Sequence, residues 1–193
     1  MQERRTQAER RSSTRAALVS AARGLFAKNG YAGTGTPEIV SAAGVTRGAL
    51  YHHFADKTAL FATVVEEEHM LLAMTINAAA EGDDEPGPVK ALIAGGDAFL
   101  DAMQDEGRRR ILLVDAPAVL GRAKVDDIDG RHGLRTLLEG VTAAMDAKAI
   151  RDLPAAPLAH LLNALFDRAA LAPPDEVNDY RKAIKALIRG LKI

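Results

Sequence analysis

Cysteine is absent from this chain, which excludes disulfides, cysteine-ligated zinc and thiol catalysis. The five histidines are scattered with no HExxH-like spacing, so neither a metal nor any other cofactor is expected. No glycine-rich phosphate loop and no nucleophile beside a base can be found, and an enzyme built on a helical bundle draws no support from the residues. Tryptophan is missing as well, and only five phenylalanines and three tyrosines are present, so a ligand cage of aromatic rings is not expected. No apolar run approaches the roughly 20 residues of a membrane span. The opening MQERRTQAERR lacks the apolar stretch of a secretory signal. The expectation is a soluble, cytoplasmic chain with no membrane partner.

What the sequence does contain is an ordinary globular share of apolar residues, 48%, and an uneven distribution of charge. Residues 1–58 carry nine Lys and Arg against four Asp and Glu, whereas the remainder carries sixteen against twenty-two. A basic first third on an acidic remainder is expected if only that third meets a polyanion. Solvated surface charge is the competing reading.

Residues 1–13 are polar and arginine-rich and read as a mobile arm. From Ser13 the pattern turns helical, with Leu18, Ala22, Leu25 and Phe26 on one face and Asn29-Gly30 as a stop. Thr36-Pro37 predicts the start of a short helix to Ala43, with the Thr36 hydroxyl as cap and proline at the first helical position. Gly44 allows a tight turn, Thr46 caps a helix from Arg47 to Phe54, and Asp56 caps a longer one. That fourth helix, with Leu60, Phe61, Val64, Val65, Leu71 and Leu72 on one side, runs to about Ala80 and spans on the order of 36 Å. EGDDEPGP, residues 81–88, is a linker. Further helices are expected over 89–104, through the apolar Ile111–Val114 stretch, and over 117–124, 130–150, 157–171 and 175–191.

A helix, a glycine turn and a second helix over Thr36–Phe54 is the unit that lays its second helix in the DNA major groove. Ile39, Val40, Val45 and Leu50 can form the small core that sets the angle between the helices. Gly48 and Ala49 keep the approach to base edges open, and Arg47 can bond guanine O6 and N7. Tyr51 and His52 carry donors suited to phosphate oxygens, and Lys57 adds a cation. His53 reads as a packed residue. A generic three-helix core with no DNA role is the alternative.

These residues carry a resemblance. PEIVSAAGVTRGALYHHFADKTALF, residues 37–61, with RAALVSAARGLFAKNGYAGT, residues 15–34, resembles the DNA-binding domain of the tetracycline-repressor-like (TetR/AcrR) regulators. The resemblance implies an all-α fold of about nine helices. A three-helix DNA-binding domain over 1–58 would precede a ligand-binding and dimerisation domain over 59–193. It also implies that Arg47, Gly48 and Ala49 face bases while Thr36, Tyr51, His52 and Lys57 face phosphates or nearby bases, with Thr46 at the helix start. Proline at position 37 stands where many relatives carry a longer polar or basic residue, so no contact is carried over from it. The implied function is a repressor that binds a palindromic, double-stranded operator as a homodimer and responds to a small ligand.

In the body no ligand residue follows from the resemblance. Its many Leu, Val, Ile, Met and Ala residues suggest an apolar effector, with Phe99, Met103, Val114 and His132 as candidates for the lining. His69, His132 and His160 read first as structural histidines. Arg108, Arg109 and Arg110 read as a solvated face, as do Asp126, Asp127 and Asp129. Leu158, Leu161, Leu162, Leu165 and Phe166 form one helical stripe, and Ile184, Leu187, Ile188 and Leu191 another. Two such helices at a chain end can pair with the same two of a second copy in a four-helix bundle, or face their own body. A non-specific architectural DNA binder is a further reading, opposed by the size of the body, and it would show little preference between sequences.

Overall fold

The computed structural model describes residues 7–82 and 87–193, and within them the chain is helical apart from turns and one isolated antiparallel bridge, Ile150 with Lys192. A head of three helices, α1 (Gln7–Asn29), α2 (Thr36–Ala43) and α3 (Arg47–His53), is joined to a body by the rod α4 (Lys57–Glu81). The body holds α5 (Pro88–Ala102), α6 (Glu106–Arg109), α7 (Ala116–Leu120), α8 (Arg122–Asp129), α9 (Gly133–Asp146), α10 (Ala155–Ala170) and α11 (Val177–Gly190). Between α6 and α7 the backbone stays helical through a π-helical stretch, Arg110–Asp115, so 106–120 is one rod.

Most helix boundaries follow local chemistry. Thr46 accepts a bond from the Ala49 amide at 3.2 Å and Asp56 one from Ala59 at 2.7 Å, satisfying amides that α3 and α4 leave without helical partners. Gly44 turns the chain with φ 65°, a left-handed conformation that glycine adopts without strain. Four expectations need correction. The first helix starts at Gln7, so residues 7–13 of the expected arm are helical, while residues 1–6 lie outside the described residues. Residue 35, not Thr36, caps α2, and the Gly35 amide is held by Glu38 Oε2 at 2.9 Å. Leu71 is exposed because it lies one position off the buried face of Val65, His69 and Leu72. A helix over 117–124 is broken at Gly121, where φ is 79°. Of the expected linker, residues 83–86 lie outside the described residues.

Ile39 and Leu50 are fully buried and Val40 and Val45 pack beside them, which fixes α3 against α1 and α2. Phe26 meets Phe61 edge-on at 5.0 Å and Tyr31 meets Phe61 at 4.9 Å, so aromatic packing carries the core from the head onto α4. One apolar core continues from there into the body.

A buried carboxylate joins the two parts. Glu68 on α4 is 3% exposed and accepts from Arg23 Nε of α1 at 2.9 Å and from Arg108 Nε of α6 at 2.7 Å. Arg23 also reaches Asp105 at 3.1 Å, and the Glu68 hydrogen bond is the main cause of its raised pKa. The other two arginines of the triplet are engaged as well. Arg109 donates to Met103 O at 3.1 Å, and Arg110 donates to Ala27 O at 3.3 Å and Lys28 O at 2.8 Å, at the end of α1. The solvated face expected for Arg108–Arg110 is therefore a set of specific contacts: Arg108 on the buried Glu68, Arg109 on Met103 O, and Arg110 on the carboxyl end of the first helix.

Glu68→Ala leaves two guanidinium groups facing an empty site. The expected cost is about 3 kcal/mol, at the low end for a broken buried pair because Arg23 keeps Asp105. Urea unfolding measures it, and a loss below about 1 kcal/mol would show that the junction contributes little.

Candidate nucleic-acid interface and body cavity

The outer face of α3 is polar and open. Arg47, Gly48, Tyr51 and His52 are exposed, Ala49 is half-buried, and Leu50 points to the core. The Arg47 guanidinium lies 5.6 Å from the centre of the Tyr51 ring. Hydrogen bonding to Thr36 and then to Arg47 lowers the Tyr51 pKa, so these three side chains form one cluster at the junction of α2 and α3. His53 is half-buried and stacks edge-on with His52 at 5.4 Å. Partial burial, then the charges of His52, Arg11 and Arg15, lower its pKa. Arg11 and Arg15 on α1 thus add to the positive field around α3. In the sequence Arg11 falls in the expected arm, and Arg15 counts only as one of the nine cations of the basic first third.

Lys57 stands apart from that surface. Its ammonium donates to Tyr31 O at 2.9 Å and Thr34 O at 3.0 Å and sits 4.0 Å from the centre of the Tyr31 ring. The loop between α1 and α2 is tied down by these contacts. The expected phosphate ligand is thus largely engaged within the head.

The body holds a partly open cavity of about 190 Å³ among α4, α5, the π-helical stretch, α8, α9 and α10. Of the candidate lining residues, Phe99 and Met103 face it. Two other expected lining residues do not. Val114 is 52% exposed on the opposite side of the π-helical stretch, whose Leu112 and Leu113 face the cavity instead. His132 precedes α9 and its Nε2 lies within hydrogen-bond distance of Glu66 Oε1, at 3.1 Å, outside the cavity.

The polar end of the cavity went largely unseen in the sequence. His69, Asp126, Asp129, Asn163 and Asp167 contribute to it. Asp129, expected to face solvent, accepts from Asn163 Nδ2 at 3.0 Å and from the Leu134 amide at 3.3 Å, and its Oδ1 lies 3.4 Å from His69 Nδ1. Burial pushes the Asp129 carboxyl up, but the facing His69 ring and these donors together hold it below the ordinary range. Asp167 has no such donors. Burial, then the neighbouring Asp129 charge, raises it from 3.8 to about 6. Two spacings carried the signal. Asn163 and Asp167 are four apart on one helix, and His69 repeats at Val65, His69 and Leu72 on the buried face of another.

The stripes on α10 and α11 divide between the interior and the surface. Leu162, Phe166, Ile184 and Ile188 are buried within this chain, with Ile188 only 1% exposed. The close approach of α10 to α5 explains Phe166, since a Cβ on Gly96 would stand 2.4 Å from its ring. Leu158 and Leu191 are half-buried. Leu161 and Leu187 remain 66% and 56% exposed, and Leu165 is also exposed.

Comparison with known proteins agrees with this layout. Residues 18–64 match the family described as bacterial regulatory proteins, tetR family, and residues 89–191 match the tetracyclin repressor-like C-terminal domain. The chain is 23% identical to the transposon Tn10 TetC protein of Escherichia coli over 98% of its own length and 96% of that protein's. Against the HTH-type transcriptional regulator CymR of Pseudomonas putida it is 46% identical over 63 residues, 33% of this chain and 31% of that one. A crystal structure of a TetR-family transcriptional regulator from Pectobacterium atrosepticum superposes with a TM-score of 0.82 at 29% identity, covering 98% of both chains. Among the described residues no helix is long and apolar enough to cross a membrane.

The raised Asp167 carboxyl predicts a pH-dependent effect on stability. The folded chain holds this proton more tightly than the unfolded one, so the penalty is absent below about 3.8, grows as pH rises to about 6 and is complete above. Its ceiling is about 3 kcal/mol. Asp167→Asn is expected to raise stability near neutral pH by about 1–3 kcal/mol, with the gain fading towards pH 4. Denaturant unfolding at a series of pH values checks this, and a gain that persists unchanged in acid would contradict the assignment.

Proposed function

The chain belongs to the TetR family of bacterial regulatory proteins, and from that premise we propose that it is a repressor: a homodimer that binds a palindromic operator and releases it when a small ligand fills the body cavity. The base-reading part rests on the exposed face of α3. Arg47 leans on Tyr51, which limits its freedom before it meets a guanine, and Tyr51 and His52 suit phosphate oxygens. Gly48 supports the same reading. A Cβ there would meet nothing nearer than Thr46 Oγ1 at 3.9 Å, so the fold does not require glycine at a helical position where it is costly. Close approach of another molecule accounts for it.

Control by a ligand rests on one observation: the cavity wall and the grip on the head belong to the same six residues. Leu112 and Leu113 face the cavity. Arg110 and Asp115, at the two ends of that π-helical stretch, hold the end of α1, and Asp115 Oδ2 accepts the Tyr31 amide at 2.8 Å. Tyr31 O in turn receives Lys57 at the start of α4. A ligand that moves Leu112 or Leu113 shifts the head through this chain, and operator and ligand must then weaken each other equally.

Dimerisation rests on Leu161, Leu165 and Leu187, which stay exposed beside half-buried Leu158 and Leu191. Pairing across a two-fold axis would cover them and place two recognition helices about 34–36 Å apart, or somewhat more, on one face of DNA.

Three outcomes are expected. Arg47→Ala costs about 1–3 kcal/mol on a duplex selected from random sequence and flattens base preference. Gly48→Ala leaves the fold as stable or up to about 1 kcal/mol more stable while weakening DNA binding. Fluorescence anisotropy with selected and scrambled duplexes reads both, and unchanged preference in Arg47→Ala would remove it as a base reader. Leu161→Glu with Leu187→Glu gives a folded monomer by sedimentation, with operator affinity greatly reduced. A double variant that stays dimeric would move the interface elsewhere.

A further inference from the structure

We propose that the cavity takes a small organic cation, a primary amine on an alkyl or aryl body, with its ammonium group between Asp167 and His69; this rests on the reading of the cavity as the effector site. The charges in the lining are not balanced from within. Asp126 is paired with Arg122 at 2.9 Å, and Asp129 is satisfied by Asn163, the Leu134 amide and the facing His69 ring. Among the described residues no hydrogen bond or ion pair reaches the Asp167 carboxylate. His69 is 7% exposed; its Nδ1 faces Asp129, and its Nε2 has no hydrogen-bond partner. A half-buried carboxylate without donors and a buried imidazole nitrogen without a partner, at one end of a cavity, call for a ligand that brings donors and positive charge.

The rest of the lining selects the remainder of the ligand. Leu72, Ile76, Leu92, Phe99, Leu137 and Phe166 form apolar walls. A volume of about 190 Å³ lies below the roughly 300 Å³ where pockets for drug-sized ligands begin, which favours a single ring or a short chain. A carboxylate ligand would meet Asp167 and Asp129 with like charge and is disfavoured. A neutral alcohol fits the walls but leaves the Asp167 charge uncompensated. The apolar effector suggested by composition therefore acquires a cationic head.

Calorimetric titration of the full-length protein with 2-phenylethylammonium, 2-phenylethanol and 3-phenylpropionate tests this. The amine is expected to bind at least about tenfold more tightly than the alcohol, and the carboxylate more weakly than either. Asp167→Asn removes the preference for the amine. In the wild-type protein, lowering the pH from about 7.5 to about 5 weakens amine binding about tenfold as Asp167 takes up its proton. Arg122, Asp126 and Asp129 of α8 also face Asp167, and so does His69 of α4. Failure of the amine to bind at millimolar concentration, equal or tighter binding of the alcohol, a preference that survives Asp167→Asn, or pH-independent binding overturns the proposal. The operator is titrated in parallel. Amine binding with the expected preference but no change in operator affinity keeps the cation site and ends the reading of ligand control. Release of operator by the alcohol and not by the amine does the reverse.

Discussion

A carboxylate removed from water must be surrounded by donors, and Glu68 takes its donors from two separate parts of the chain. Arg23 comes from the helix that supports the DNA-facing head, and Arg108 from the rod that walls the body cavity. Neither guanidinium can leave without exposing Glu68 to a site it cannot tolerate alone. Charge and hydrogen-bond geometry therefore add orientation to the apolar core that runs from head to body. Arg110 on the first helix end and Asp115 on the Tyr31 amide add direction to the same junction. The π-helical stretch between them lets six residues present Leu112 and Leu113 to one side and these polar ends to the other.

Several residues in this chain are unfavourable for folding alone. Asp167 holds its charge in a poorly solvated place, Gly48 occupies a helical position with room for a side chain, and Leu161 and Leu187 face water. Each lies where the proposed function brings another molecule: a cation, DNA, or a second copy of the chain. Local rules broken at three surfaces, and kept through the core, are what a binding protein is expected to show.

The head was largely legible in the sequence because its constraints are local. Caps, the Gly44 turn and the periodic apolar positions all act within a few residues, so Ile39 and Leu50 could be assigned to the core and Arg47 and Tyr51 to the surface. The partners of Lys57 within the head, Tyr31 O and Thr34 O, were not legible because they lie across a loop whose path no spacing reveals. The body was less legible for the same reason. Arg108–Arg110 resembles a solvated basic run until Glu68 and the end of α1 are brought to it, and Asp129 resembles a loop acid until Asn163 and His69 close over it. On α10 the apolar stripe identified the helix but could not divide its leucines between the chain's own core and a partner.

The central claim is that the DNA-reading head and the cavity wall move as one linked unit. Hydrogen exchange of the full-length protein, free and bound to a duplex selected from random sequence, tests it without any ligand. If the linkage holds, DNA binding changes amide protection in residues 106–120 of the body as well as in residues 36–54 of the head. Protection confined to residues 36–54, with the body unchanged, would contradict it.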